Sequence, residues 1–375
     1  MPNEKSKMLS SGSYGCVYYP SISCKGKRTS KKSVTKLQLS DESADNEMEI
    51  SKIIRQIPMY KNFFVPVTSS CPLKLRELKK DIIQECDVLK KDKDVVLMEM
   101  SFVTGMTLDK YLTNNKNPKH VINSFISSYT YLLHSLQLLN KYNIVHFDLK
   151  GNNIMFNTEK NIPLIIDFGM SIDLEKVTPD TLDFYFFSYA PSYYVWCPEI
   201  HFLSYLIHIN DELTKEKIDE ICHDTIDNNN SLINILSDSF LDSYMTNMIS
   251  YYSQFIGMRK EQIIKELLKT SHTWDNYSLA NIYIRIISKI YPDGFNKNDF
   301  IVKFVQLLLE ILNPNPNKRL SIPKCLEKFE NILTTSKRGE FKNVLDSLKI
   351  HRKRFNKNIS DESKTLKILE DTLSR

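Results

Sequence analysis

Apolar and polar residues follow two different rhythms along this chain. Before about residue 100, short apolar runs of strand character occur at 16–19, 33–39, 63–67 and 95–100. One early stretch, near 41–57, breaks that rhythm: Ile50, Ile53, Ile54 and Ile57 recur at helical spacing and predict an amphipathic helix. A helical mode begins again over 106–113 and dominates from about 120 onward. Leu132, Leu133, Leu136 and Leu139 form one stripe, Ile263, Ile264, Leu267 and Leu268 a second, and Val302, Val305, Leu308, Leu309 and Ile311 a third. Two short strand-like runs, 154–156 and 164–166, interrupt the helices. The pattern predicts an α+β chain with a small β-rich lobe, a larger helical lobe and a boundary near 100–105.

Composition narrows the class. The 375 residues are 42% hydrophobic and 25% charged, as in ordinary globular chains, which excludes collagen-like, mucin-like and mostly disordered readings. The formal net charge of +5 is concentrated at one end, because residues 336–375 hold 11 Lys or Arg and 6 Asp or Glu. The rest is neutral, which argues against a nucleic-acid binder. The basic tail reads as a solvated helix, with phosphates, a membrane surface or an acidic partner as the other options. Seven cysteines (16, 24, 71, 86, 197, 222 and 325) include no C-x-x-C pair, and the count is odd. That predicts neither a disulfide framework nor a structural zinc site, and a reducing compartment. The first twenty residues contain no apolar signal core, and the charge-free stretch 120–140 is too polar for a membrane span. An intracellular, cytoplasmic monomer without a membrane span is expected.

The strongest local signal is His146-Phe147-Asp148-Leu149-Lys150-Gly151-Asn152-Asn153. An Asp followed two residues later by Lys and five later by Asn suits phosphoryl transfer. The Asp can take or orient the proton of an attacking hydroxyl, the Lys can sit against a γ-phosphate, and the Asn carbonyl can hold a metal ion. Fourteen residues beyond Asn153 comes Asp167-Phe168-Gly169, after the apolar run Leu164-Ile165-Ile166. A carboxylate at the end of a buried strand, followed by Gly, suits Mg²⁺ chelation with room for phosphate. Each tripeptide alone is weak, and a loop with ordinary capping Asp and Asn is the bland explanation. The joint spacing outweighs it.

With these residues the sequence resembles the eukaryotic-type serine/threonine protein kinase family. The first motif matches H-R-D-L-K-x-x-N with Phe147 for Arg. The resemblance implies a two-lobed fold, ATP and Mg²⁺ as cofactors, a protein substrate and further parts. The glycine-rich loop is Ser10-Ser11-Gly12-Ser13-Tyr14-Gly15-Cys16-Val17, in which Gly12, Gly15 and Val17 match the pattern and Ser10 replaces the first glycine. Val34-Thr35-Lys36 nominates Lys36 for the α- and β-phosphates, against Lys31 and Lys32 in the same basic run. The following helix should supply a Glu for that Lys, and Glu47 and Glu49 compete. Glu47 is preferred because Ile50 and Ile54 share its face. Residues 95–105 resemble the last strand and hinge, with Met100 as gatekeeper and the Ser101 carbonyl and Val103 amide toward adenine.

Downstream, Trp196-Cys197-Pro198-Glu199 resembles A-P-E, and Arg319 is nominated as the partner of Glu199. Asp275 would hold the catalytic-loop backbone. Ser192 sits where Ser/Thr-specific members carry a Thr bonded to the catalytic Asp and Lys. The resemblance covers about 8–330 and divides the chain into an N-lobe at 1–100, a C-lobe at 101–335 and a tail at 336–375. Three departures mark a divergent member. Phe147 removes the Arg that reads an activation-loop phosphate. About 203–272 is an insertion of several helices. Residues 184–196 contain eight aromatic side chains and no charge. By its residue bias it is similar to kinases of large cytoplasmic DNA viruses. A pseudokinase scaffold and a small-molecule kinase of the choline or aminoglycoside type are the alternatives.

Overall fold

The computed structural model describes residues 6–12, 14–24, 30–89, 94–295, 298–336 and 338–373. The chain divides into two compact units, one made of 1–106, 154–171 and 364–375, the other of 107–153 and 172–363.

The first unit is built on a five-stranded antiparallel sheet in the order Lys7–Ser11, Gly15–Tyr19, Ser33–Leu39, Asp94–Ser101, Val67–Lys74. Alternation along its strands sorts the side chains to two faces. In the strand Asp94–Ser101, Val95 and Leu97 join a cluster with Tyr18, Leu37, Leu73 and Ile82. Val96, Met98 and Met100 point the other way, into a cluster with Ala44, Val65, Val67 and Leu164. The second cluster seats the helix Glu42–Ile54. Asp41 caps it by accepting a hydrogen bond from the Ala44 amide at 3.0 Å, and Glu42 and Asp45 place negative charge in its first turn. A smaller sheet orders Phe64–Val65, Ile162–Ile166, Ile154–Asn157 and Gly105–Thr107. Gly105 is required there: its φ is +155°, and an added Cβ would lie 2.0 Å from the Phe156 carbonyl oxygen.

The cysteine expectation is overturned in this unit. Cys16 bonds to Cys86 and Cys24 to Cys71, with Cα separations of 6.0 and 6.2 Å. Spacing along the sequence is blind to pairs separated by 70 and 47 residues that the fold brings together. Cys197, Cys222 and Cys325 are unpaired and buried. The expectation of a reducing compartment thus loses the support it drew from unpaired cysteines.

The second unit is helical. Its centre is the helix Trp274–Ile290, every residue of which is buried. The helices Asp299–Ile311 and Pro118–Lys141 pack against it, and Ile322–Thr335 packs on both of those. Phe125, Tyr129, Tyr283, Phe304 and Phe329 meet there, with ring centroids 4.7–6.2 Å apart. The long segment after Glu199 folds as the helices Pro198–His208, Lys215–Asp227, Asn230–Ile233, Asp238–Ser253 and Lys260–Leu268. Among the described residues no helix is long and apolar enough to cross a membrane. Within the basic tail, Arg338–Leu373 forms one helix.

Candidate active site

In the β-rich unit, strand pairing sets Lys36 between Val17 and Met98, in the middle of the sheet. Its Nζ lies 2.7 Å from Glu47 Oε2 and 2.9 Å from Asp167 Oδ1. Burial by itself would lower the Lys36 pKa, but the Asp167 and Glu47 carboxylates outweigh it and hold the ammonium well above its ordinary value. Ala44, Glu47, Ile50, Ser51 and Ile54 form the buried face of their helix, which delivers Glu47 to the lysine. Glu49 points to a separate surface cavity lined also by Lys52, Arg55 and Val67.

Asp167 ends the strand Ile162–Ile166 with a left-handed φ of 63°. For a non-glycine residue such a backbone costs on the order of 1–3 kcal/mol, so the surroundings must hold it. Phe168 does so from one side, buried edge-on against Phe64 at 6.1 Å. From the other, Asn46 Nδ2 donates to the Ser171 carbonyl at 2.9 Å. An added Cβ at Gly169 would come within 3.3 Å of Glu47 Oε2, so the glycine keeps the backbone close to the ion pair.

The nominated loop closes with the Gly12 amide donating to the Gly15 carbonyl at 2.9 Å. Ser10 and Ser11 lie in the first strand, paired with Val17 and Cys16. At Gly15 a Cβ would stand 2.4 Å from the Leu37 carbonyl oxygen. Ser13 lies outside the described residues. Lys367 Nζ donates to the Ser11 carbonyl at 2.8 Å. At the nominated hinge, Ser101 ends its strand and Val103 is buried. Between them Phe102 stacks on Tyr19 at 4.2 Å.

In the helical unit, the strand Ile144–Val145 leads into the loop that carries Asp148. Asp275, in the first turn of the buried helix, accepts hydrogen bonds from the His146 amide at 2.7 Å and the Phe147 amide at 3.0 Å. Burial raises the pKa of its carboxyl, partly offset by His146 and these amides. Phe147 takes a left-handed φ of 69°, and its carbonyl accepts from Trp196 Nε1 at 2.9 Å. Its ring fills an apolar site against Phe186, Trp196 and Trp274 at 5.0–6.5 Å.

This fixed turn presents a buried carboxylate. Asp148 Oδ2 accepts from Asn153 Nδ2 at 2.8 Å and faces Lys150 Nζ at 2.9 Å. Asn153 Nδ2 also donates to the Asp148 carbonyl at 2.9 Å, which commits the nitrogen and directs the amide oxygen elsewhere. That oxygen is the donor a hard cation would use.

The hydroxyl on Asp148 Oδ1 comes from Tyr193, at 2.8 Å, and not from Ser192 as expected. The family pattern nominates a short aliphatic hydroxyl, and the aromatic run disguised its neighbour as packing. A second unforeseen feature is the buried pair of Arg285 and Asp109, at 2.7 and 2.9 Å. A Cβ at Gly151 would fall 2.0 Å from Asp109 Oδ1, so this pair packs directly under the loop. No motif links the two residues, which are 176 positions apart. Further along, Arg319 contacts Glu199 at 2.8 and 3.1 Å and lies over the Tyr277 ring at 4.8 Å.

A β-sheet lobe and a helical lobe bearing these groups define the protein kinase fold. The chain belongs to the protein kinase family: residues 3–200 match the profile described as "Protein kinase domain". It is 35% identical over 107 residues to the probable serine/threonine-protein kinase mkcE of Dictyostelium discoideum, covering 28% of this chain and 14% of that protein. It is 30% identical over 142 residues to human mitogen-activated protein kinase kinase kinase 6, covering 37% and 11%. It is 33% identical over 92 residues to the serine/threonine-protein kinase PrkC of Bacillus subtilis, covering 24% and 13%. The matched regions thus span less than a fifth of these relatives' own lengths.

Proposed function

We propose that the chain is an ATP-dependent serine/threonine protein kinase. Asp148 takes the proton of a substrate hydroxyl while its oxygen bonds to the γ-phosphorus, and the bond from that phosphorus to the β–γ bridging oxygen breaks to release ADP. Lys150 offsets charge on the transferring phosphoryl group. Lys36, held by Glu47, serves the α- and β-phosphates, and the loop containing Ser10, Ser11, Gly12, Gly15 and Val17 covers them through its backbone. Ser101 and Val103 meet the adenine edge. Asp167 and Asn153 each offer an oxygen to magnesium, whose chemistry is to neutralise the phosphates. Asp167 fits that task because its side chain is 38% exposed while its Oδ1 is already steered by Lys36.

The observation that carries this reading is the buried Asp148 carboxylate with Lys150 at 2.9 Å and Asn153 at 2.8 Å. Retention of Lys36, Asp148, Asn153 and Asp167 together speaks against a pseudokinase. Lys150 two residues after Asp148, the Glu199–Arg319 pair and the names of the relatives favour protein Ser/Thr substrates over small molecules or tyrosine. The kinship with kinases of large cytoplasmic DNA viruses, and an intracellular location, belong to the same proposal and rest on sequence resemblance.

The test is incubation of the full chain with γ-labelled ATP, Mg²⁺ and dephosphorylated casein, followed by phospho-amino-acid analysis. Phosphoserine or phosphothreonine, lost on chelation, is expected. Absence of transfer would overturn the catalytic reading, and phosphotyrosine alone the specificity.

A further inference from the structure

Tyr193 is buried to 1% exposure and donates its hydroxyl to Asp148 Oδ1 at 2.8 Å. Lys150 Nζ approaches the same phenol oxygen at 3.5 Å while contacting Asp148 Oδ2 at 2.9 Å. The carboxylate is therefore gripped at both oxygens, by a phenol on one and by an amide and an ammonium on the other. A carboxylate with only one oxygen anchored can turn about its terminal torsion, which has broad wells.

The phenol is itself fixed. Its ring packs edge-on to Trp196 at 5.1 Å, and Trp196 donates to the Phe147 carbonyl at 2.9 Å. The backbone on either side is tied to the buried central helix: Ser278 Oγ donates to the Val195 carbonyl at 2.7 Å and Asn281 Nδ2 to the Tyr194 carbonyl at 3.3 Å. One aromatic segment thus holds Asp148 at two points, the side chain through Tyr193 and the preceding carbonyl through Trp196. Both holds are neutral donors fixed by packing.

We infer that Tyr193 is the positioning residue of the catalytic carboxylate, and that docking of the 184–196 segment orients Asp148 through its phenol without a phosphate. The inference rests on the reading of Asp148 as the base. It gives the uncharged aromatic run a task beyond filling space: when the segment is seated, the phenol sets the carboxylate, and when it is not, Asp148 loses its Oδ1 donor.

The experiment compares wild type, Tyr193→Phe, Asp148→Asn and the double variant in the full chain, with casein as acceptor and kcat expressed per ADP-binding site. Tyr193→Phe removes one oxygen and keeps the ring. A hydrogen bond to a charged group is typically worth about 1.5–3 kcal/mol, so kcat should fall about ten- to a hundredfold. KM for ATP should stay within about twofold and the melting temperature should barely move, because uniform binding and packing are untouched. In the Asp148→Asn background, Tyr193→Phe should add almost nothing, since residues acting as a unit are not additive. Normalising to ADP sites keeps the comparison valid if Tyr193→Phe folds less well. Wild-type kcat in Tyr193→Phe, or an equal loss with and without Asp148, overturns the inference. Wild-type activity in Asp148→Asn instead overturns the reading beneath it.

Discussion

Two of the buried ion-pair clusters in this molecule each hold a cation against a buried glutamate, and they differ in their access to solvent. Glu199 and Arg319 are sealed, both side chains at 0% exposure. Lys36 and Glu47 are nearly as buried, at 8% and 2%, but their third member, Asp167, is 38% exposed. Burial would lower the Arg319 pKa, and Glu199 raises it above its ordinary value, just as carboxylates hold up Lys36. The lesson is that pairing alone does not mark function. A sealed pair has every contact committed to the fold, so removing one partner strands a charge in low dielectric. A cluster with an open side keeps a carboxylate that a cation can reach.

The sharpest way to break this contrast is Arg319→Met. Leaving Glu199 buried and unpaired should cost about 3–5 kcal/mol of stability, read as a lower denaturant midpoint. A loss below about 1 kcal/mol would mean the pair is not structural. Next comes Phe147→Arg, which forces an unpaired charge among Phe186, Trp196 and Trp274. We expect a cost of about 1–3 kcal/mol in stability or an equivalent fall in activity. Phosphatase treatment of the wild-type chain should leave activity unchanged, because no cation precedes Asp148 to receive a phosphate. A large drop traced to a phosphosite within 171–196 would contradict that.

At the open cluster the effect should move from stability to rate. Lys36→Met should lower kcat/KM about a hundredfold or more, beyond the loss of stability that comes from leaving the buried Glu47 unpaired, while Lys32→Met, on the exposed end of the same run, should stay near wild type. Equal losses at both positions would reduce Lys36 to surface electrostatics.

A further effect concerns pH. Burial pushes the imidazole of His201 down from its ordinary 6.5 to about 3. Between those values the unfolded chain binds a proton that the native state refuses, so stability is fully present above about pH 6.5 and falls as pH falls. Within that window His201 should contribute a slope of about 1.4 kcal/mol per pH unit. His201→Leu should flatten it in urea melts at successive pH values, and an unchanged slope would assign acid sensitivity to other groups.

The contrast between the clusters also bears on what the sequence made legible. Local features were readable: the strand-to-helix change near residue 100, the Asp148 loop, and the face of the helix Glu42–Ile54, where Ile50 and Ile54 share a side with Glu47. Each depends on a period or a short fixed spacing. Features set by distant contacts were not. Cys16 meets Cys86 across 70 residues and Cys24 meets Cys71 across 47. Asp109 meets Arg285 across 176 residues. Tyr193 was hidden for another reason: in a run of eight aromatics, composition describes packing and cannot say which single phenol faces a carboxylate. The strand Val67–Lys74 reads poorly because Thr68, Ser69, Ser70 and Pro72 break its apolar run, and it forms by pairing with Asp94–Ser101.

The central claim is that Asp148 performs the proton transfer while contributing little to nucleotide binding. Asp148→Asn in the full chain tests it most directly, with phosphoryl transfer from γ-labelled ATP to casein and ADP affinity measured on the same preparation. The account predicts transfer reduced about 10²- to 10⁴-fold with ADP affinity within about threefold of wild type. Transfer above about a third of wild type, at unchanged affinity, would place the chemistry elsewhere.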